Sequence, residues 1–179
     1  RRPSGSWPSW SGEAPRGEGS VKPAAEKVQA AIAERGLDRT VVDLGMHART
    51  SQQAADALAV AVGQIAKSLV FTVDGVPVMV IASGANRVDE AKVGRLARGA
   101  VRRADPETVR QATGYAIGGV PPFGHQTRLP IYVDRDLQQY ALIYAAAGVP
   151  ECVFPLAPEE LIRATGGTVA DVRLEGDGS

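Results

Sequence analysis

Residues 65–82 read IAKSLVFTVDGVPVMVIA. Two β-rich runs flank Asp74-Gly75, a dipeptide suited to the tight turn of a hairpin. Ile65–Val73 and Val76–Ala82 are therefore expected as antiparallel neighbours. Pro77 has no amide donor and fits an edge or early-strand position. Working outward, the other elements mix without a strict βαβ alternation. Val21–Gly36 has a helical period with Val28 and Ile32 on one face. Thr40–Leu44 is a short β run. Ser51 is expected to cap an Ala-rich helix over Gln52–Val62. Val88–Arg98 reads as an amphipathic helix with Val93 and Leu96 inward and Lys92 largely outward. Asp105-Pro106 is an N-cap followed by a first-turn proline, so a helix is expected to run to about Thr113. Leu129–Val133, Ala141–Ala145, Glu151–Leu156 and Thr168–Val172 read as strands, and Pro158 opens a helix to about Ala164. One hairpin within such a mixture favours an α+β domain with a mixed or largely antiparallel sheet over a doubly wound parallel one.

Composition narrows the partners. The chain has 179 residues, with 20 basic and 20 acidic side chains and a net charge of zero. Nucleic-acid binding through a basic surface as a whole is not expected, although a local patch is compatible with it. The single cysteine, Cys152, cannot form an intramolecular disulfide, which fits a reducing, cytoplasmic setting. It lies in the apolar run CVFPL and reads as a small core residue. No apolar run is long enough to span a membrane, and the Arg-containing N-terminus lacks the apolar stretch of a signal peptide. Residues 1–20, rich in Ser, Gly, Pro and Arg with Trp7 and Trp10, read as a disordered tail. Residues 21–174 read as one domain, and 175–179 as a polar C-terminal tail.

Two features carry candidate chemistry. Gly114–Pro130, GYAIGGVPPFGHQTRLP, concentrates turn residues. Within it Gly118-Gly119-Val120-Pro121-Pro122 forms a stiff loop whose amides are not spent on a helix, suited to holding a carbonyl or phosphate oxygen. A plain structural turn is the alternative. The other feature is Lys67, a charge at the mouth of an apolar strand. It either snorkels to solvent or enters a pocket, where burial lowers its pKa unless an anion pairs with it. Ser68 points to the opposite face of a regular strand. His125 could hold a substrate group or shuttle a proton, or bond a backbone carbonyl within its loop. Cys152 and the two histidines, His47 and His125, are too scattered for a metal-ligand pattern. No nucleophile elbow, Walker loop or dinucleotide fingerprint occurs.

Four blocks, GQIAKSLVF, SGANRVDEAKVGRL, TGYAIGGVPPFGHQTRLPIYVDRDL and CVFPLAPEEL, together resemble the YbaK/ProX-type aminoacyl-tRNA deacylases, relatives of the editing domain of bacterial prolyl-tRNA synthetase. The resemblance runs over about residues 40–172. It implies a strongly curved mixed sheet wrapped by helices and no metal or organic cofactor. It also implies hydrolysis of the ester that joins a wrong amino acid to a tRNA 3′ end. By the same resemblance, Lys67 positions the substrate at the ester carbonyl or terminal phosphate, and the amides of Gly118 and Gly119 hold the carbonyl. The attacking water is assisted by the substrate's own ribose hydroxyl. Asp134 and Arg87 are implied substrate contacts, with Arg87 toward the tRNA end. Ser68, Pro122, His125 and Ala146 fall at positions implied to lie around the amino-acid pocket. Ala146 stands where some members carry serine, so the choice among alanine, cysteine, serine and threonine stays open. A non-catalytic module that binds aminoacyl-tRNA or a free amino acid and regulates a synthetase is the competing expectation. Monomer and homodimer are both compatible.

Overall fold

The structure is a computed structural model and describes residues 22–176. The expected tail over 1–20, with Trp7 and Trp10, lies outside the described residues. Five α-helices and eight strands are present among them: α1 Pro23–Glu34, β1 Val42–Asp43, α2 Ser51–Leu58, β2 Ile65–Val73, β3 Val76–Ser83, α3 Glu90–Ala97, β4 Val101–Arg103, α4 Pro106–Thr113, β5 Ile131–Asp134, β6 Ile143–Ala146, β7 Cys152–Leu156, α5 Pro158–Thr165 and β8 Thr168–Ala170. The strands form one mixed sheet in the order β1-β7-β6-β2-β3-β5-β8, with β4 also pairing β2. The α+β expectation is met.

The β2–β3 hairpin is the centre of the sheet. Its register runs from Ala66 opposite Ser83 to Val73 opposite Val76. The turn places Asp74 at φ 49° and Gly75 at φ 82°, the left-handed pair that lets a two-residue turn follow strand twist. Pro77 pairs with Thr72, whereas β5 joins β3 only from Met79 onward, so the missing amide meets no ladder. From Val78 to Ser83 every residue of β3 is buried, because both faces of the hairpin are covered. On one face Ala66, Val70, Met79 and Ile81 pack with Val28 and Ile32 of α1, with Phe123 of the glycine-proline segment and with Leu161 of α5. On the other, Phe71, Val78 and Val80 pack with Val93 of α3, and Ala54 and Ala55 of α2 pack on Ile65 and Tyr144.

Several boundaries differ from expectation. Thr50 caps α2, its hydroxyl accepting from Gln53 N, and Ala59 at φ 56° ends the helix well before Val62. A short 3₁₀ turn at Val62–Gln64 then leads into β2. Leu96, expected inward, is exposed, and Lys92 is tied to Asp171 at 3.0 Å. Asp105 caps α4 as expected, and Gly114 closes it at φ 85°.

Candidate active site

The topology leaves a gap in the sheet. Two strands claim the same edge of β2. β6 pairs in parallel at Ile65 and Ala66, and β4 pairs antiparallel at Phe71, Thr72 and Val73. Among the described residues no strand pairs with this edge between Ala66 and Phe71, where Lys67 and Ser68 lie. Val70 contributes its carbonyl oxygen to Ala104 N across the edge at 3.2 Å. By the antiparallel alternation the backbone N–H and C=O of Ser68 point the same way, into the gap.

A cavity of about 320 Å³ opens at this gap. Residues from both sheet faces line it. Ser68 shares a face with Ala66 and Val70, the side on which Val120 and Cys152 lie. Lys67 belongs to the other face with Leu69 and Phe71, and there the wall includes Arg49, Thr50, Tyr144 and Arg103. Because the edge is unpaired here, Lys67, Ser68, Gly118 and Ala146 meet on one cavity despite their separate origins.

The electrostatics of the wall are one-sided. Among the described residues it carries three cations, Arg49, Lys67 and Arg103, and no carboxylate. Lys67 is half-buried, and burial, the Arg103 charge and the Arg87 charge hold its ammonium below the ordinary lysine pKa, with Asp134 opposing. The Oγ of Ser68 is buried without a hydrogen-bond partner, an arrangement whose desolvation cost a ligand would relieve. Burial pushes the Cys152 thiol up, which keeps it protonated and makes it a poor nucleophile. This fits its expected role as a core residue.

The remaining expected site residues divide between the wall and the segments behind it. Gly118, at φ 93°, is exposed on the cavity wall. Gly119 is buried beside it: its N–H donates to Ala116 O at 3.1 Å and its carbonyl accepts from Gly148 N at 2.8 Å. That amide is committed to the loop and is not offered to a ligand. Pro122 is buried and off the wall. The Nε2 of His125 lies 2.6 Å from Pro121 O, so the imidazole braces the loop by donating Nε2–H to that carbonyl. Burial holds its pKa below the usual histidine value. Asp134 is fully buried. It accepts from Ser83 N at 3.0 Å, Asn86 Nδ2 at 2.9 Å and Asp136 N at 2.9 Å, and so fixes the Ser83–Arg87 turn instead of reaching the cavity. Arg87 is exposed at the end of that turn and lies outside the wall.

Arg49, Arg103 and Tyr144 were not singled out from the sequence. Arg49 precedes a helix cap and Arg103 ends a three-residue strand, positions at which a surface arginine is ordinary. Only the pairing of Arg103 with Phe71 brings it beside Lys67. Among the described residues no cluster of three or more His, Cys, Asp or Glu side chains is arranged to hold a metal, and no helix is long and apolar enough to cross a membrane.

Comparison with known proteins gives this cavity its context. The "Putative Cys-tRNA(Pro)/Cys-tRNA(Cys) deacylase EbsC" of Enterococcus faecalis is 28% identical over 125 residues, covering 69% of this chain and 76% of that protein. The proline–tRNA ligase of Solidesulfovibrio magneticus is 33% identical over 125 residues, 69% of this chain and 19% of the ligase. A crystal structure described as "a putative trans-editing enzyme for prolyl tRNA synthetase" superposes with a TM-score of 0.84 at 46% identity, covering 87% of this chain and 99% of the other. The family model for the aminoacyl-tRNA editing domain matches residues 46–164, which contain β2, its open edge and the glycine-proline loop. The chain belongs to the aminoacyl-tRNA editing domain family.

Proposed function

We propose that the cavity at the open edge of β2 is where this aminoacyl-tRNA deacylase hydrolyses the ester between a small amino acid and the tRNA 3′ end, acting in trans on a free tRNA. The observation that carries the reading is the meeting of Lys67, Ser68 and Gly118 on one cavity. The ester is an activated bond, so orientation and a donor aimed at the developing oxyanion supply much of the barrier reduction. Gly118 is the donor, since the Gly119 amide is spent within the loop. As a glycine it puts no Cβ between its backbone and the cavity, and its φ of 93° is one that L side chains rarely adopt. Lys67 lies on the face that carries Arg49 and Arg103, which suits it to a phosphate or to the ester carbonyl. Ser68 Oγ and Ala146 bound the amino-acid end. The attacking water is directed by the substrate's ribose hydroxyl, so no side-chain nucleophile is needed. Arg87, exposed and within electrostatic reach of Lys67, serves in this reading as a contact to the tRNA end.

Deacylation of a panel of tRNAs charged with alanine, cysteine, serine and threonine, with and without EDTA, tests the reading. Turnover of at least one ester, undiminished by the chelator, is expected. Saturable binding without turnover would replace the enzyme by a binding module.

A further inference from the structure

The cations around the gap lie on one side of it. Arg103 stands opposite Phe71, and cross-strand partners share a face, so Arg103 projects on the Lys67 side. Arg49 immediately precedes α2, whose Ala54 and Ala55 pack on Ile65 and Tyr144 of that same face. The cavity therefore has Arg49 at the β6 end, Arg103 at the β4 end and Lys67 between them. From Ala66 to Phe71 a strand advances roughly 16 Å at about 3.3 Å per residue, longer than one nucleotide. Both arginines are exposed, and neither has a carboxylate within ion-pair distance among the described residues. In a chain of zero net charge, three cations with no wall carboxylate form a local anion-binding stripe. Lys67 is held below its usual pKa partly by Arg103, repulsion that a bound anion would relieve.

We propose that Arg49 and Arg103 are phosphate ligands for the last nucleotides of a single-stranded RNA 3′ end. The strand crosses the Lys67 face between them, while its terminal aminoacyl group enters the gap toward Ser68 and Gly118. The proposal rests on the reading of the cavity as the deacylation site. It adds that more than the terminal nucleoside is gripped and that the grip is backbone contact, which fixes register without reading sequence.

The test uses two probes. The first is a fluorescein-labelled RNA, 5′-ACCA-3′, titrated with the protein by anisotropy between about 50 mM and 200 mM salt. Arg49→Ala and Arg103→Ala are each expected to weaken binding about tenfold and to lower the slope of log affinity against log salt by about 0.7, the single-strand value for one phosphate. Arg49→Lys and Arg103→Lys should retain the slope, which separates lost charge from lost fold. The second probe is the pair alanyl-tRNA and alanyl-adenosine, the latter without phosphates. The loss in kcat/KM on alanyl-tRNA should exceed that on alanyl-adenosine by about tenfold. Unchanged affinity and slope, or equal losses on the two esters, overturn the proposal. A wild-type protein that cleaves neither alanyl ester nor any other ester of the four-amino-acid panel sinks the deacylation reading, and the RNA titrations still decide the role of the arginines.

Discussion

Lys67 and Gly118 line the same cavity from different parts of the fold, one from the open edge of β2 and the other from the glycine-proline loop that packs over it. The same cavity is lined by Ser68, whose buried Oγ has no hydrogen-bond partner. A half-buried ammonium, an exposed glycine and an orphaned hydroxyl around one small space are costly for a fold to keep and useful to a ligand.

Lys67 holds its charge against burial and against Arg103 and Arg87. Its folded pKa is lowered, so between that value and the unfolded value the unfolded chain binds more protons, and stability rises with pH in that window. Below the lowered folded value both states are charged and the full burden is present. Lys67→Met is therefore expected to raise the melting temperature at pH 7 by a few degrees while abolishing deacylation. The stability gap should narrow as the pH climbs toward 10.5. A destabilised variant, or one with wild-type turnover, would contradict the assignment.

Gly118 and Gly119 should separate function from fold. A Cβ on Gly118 would meet Pro150 Cγ at an ordinary 3.5 Å, but φ 93° strains any L side chain. Gly118→Ala is expected to cost about 1–2 kcal/mol in stability and to lower kcat by about 10²-fold through misplacement of the donor. On Gly119 the added Cβ would lie 2.5 Å from Gly148 O and 2.8 Å from Val149 Cα, both backbone. Gly119→Ala should therefore be the more destabilising of the two in urea melts. The reverse order would mean that the loop is not held as described.

Asp134 is a brace. Asp134→Asn places an amide NH₂ against donors that now meet carboxylate oxygens at 2.9–3.0 Å. Unfolding in urea should show a loss of about 2–3 kcal/mol. Activity per folded molecule should fall less than in the Lys67 variant; equal losses would put the carboxylate in the reaction.

His125 is expected to matter for acid stability. Its folded pKa lies below the unfolded value near 6.5, so its neutral form stabilises the fold above that value. The contribution is lost as pH falls through about 6.5 toward the lowered folded pKa. His125→Gln should flatten the melting temperature across that window and leave the pH dependence of kcat unchanged. A kcat profile that loses an ionisation in the variant would return the imidazole to the chemistry.

The hairpin, the Asp105-Pro106 helix start and the non-helical course of the glycine-proline loop were legible from residues alone, because each depends on local backbone chemistry. Asp74-Gly75 accepts positive φ, Pro106 needs no amide partner in a first turn, and tandem prolines restrict φ wherever they stand. Lys67 as a charge on an apolar strand was legible for the same reason, and the family resemblance added the chemistry. What residues in order could not show is which strands meet. The gap beside Lys67 and Ser68 exists because β6 and β4, remote in the chain, take the two ends of one edge and leave the middle open. That long-range pairing brings Arg103 beside Lys67. Loop closure likewise decides that the Gly119 amide bonds Ala116 and that His125 bonds Pro121, each a partner choice among many with the same local propensity. Hydrogen-bond partners and charge neighbours across a sheet are properties of packing in three dimensions, and here they separate the cavity wall from the braces that hold it.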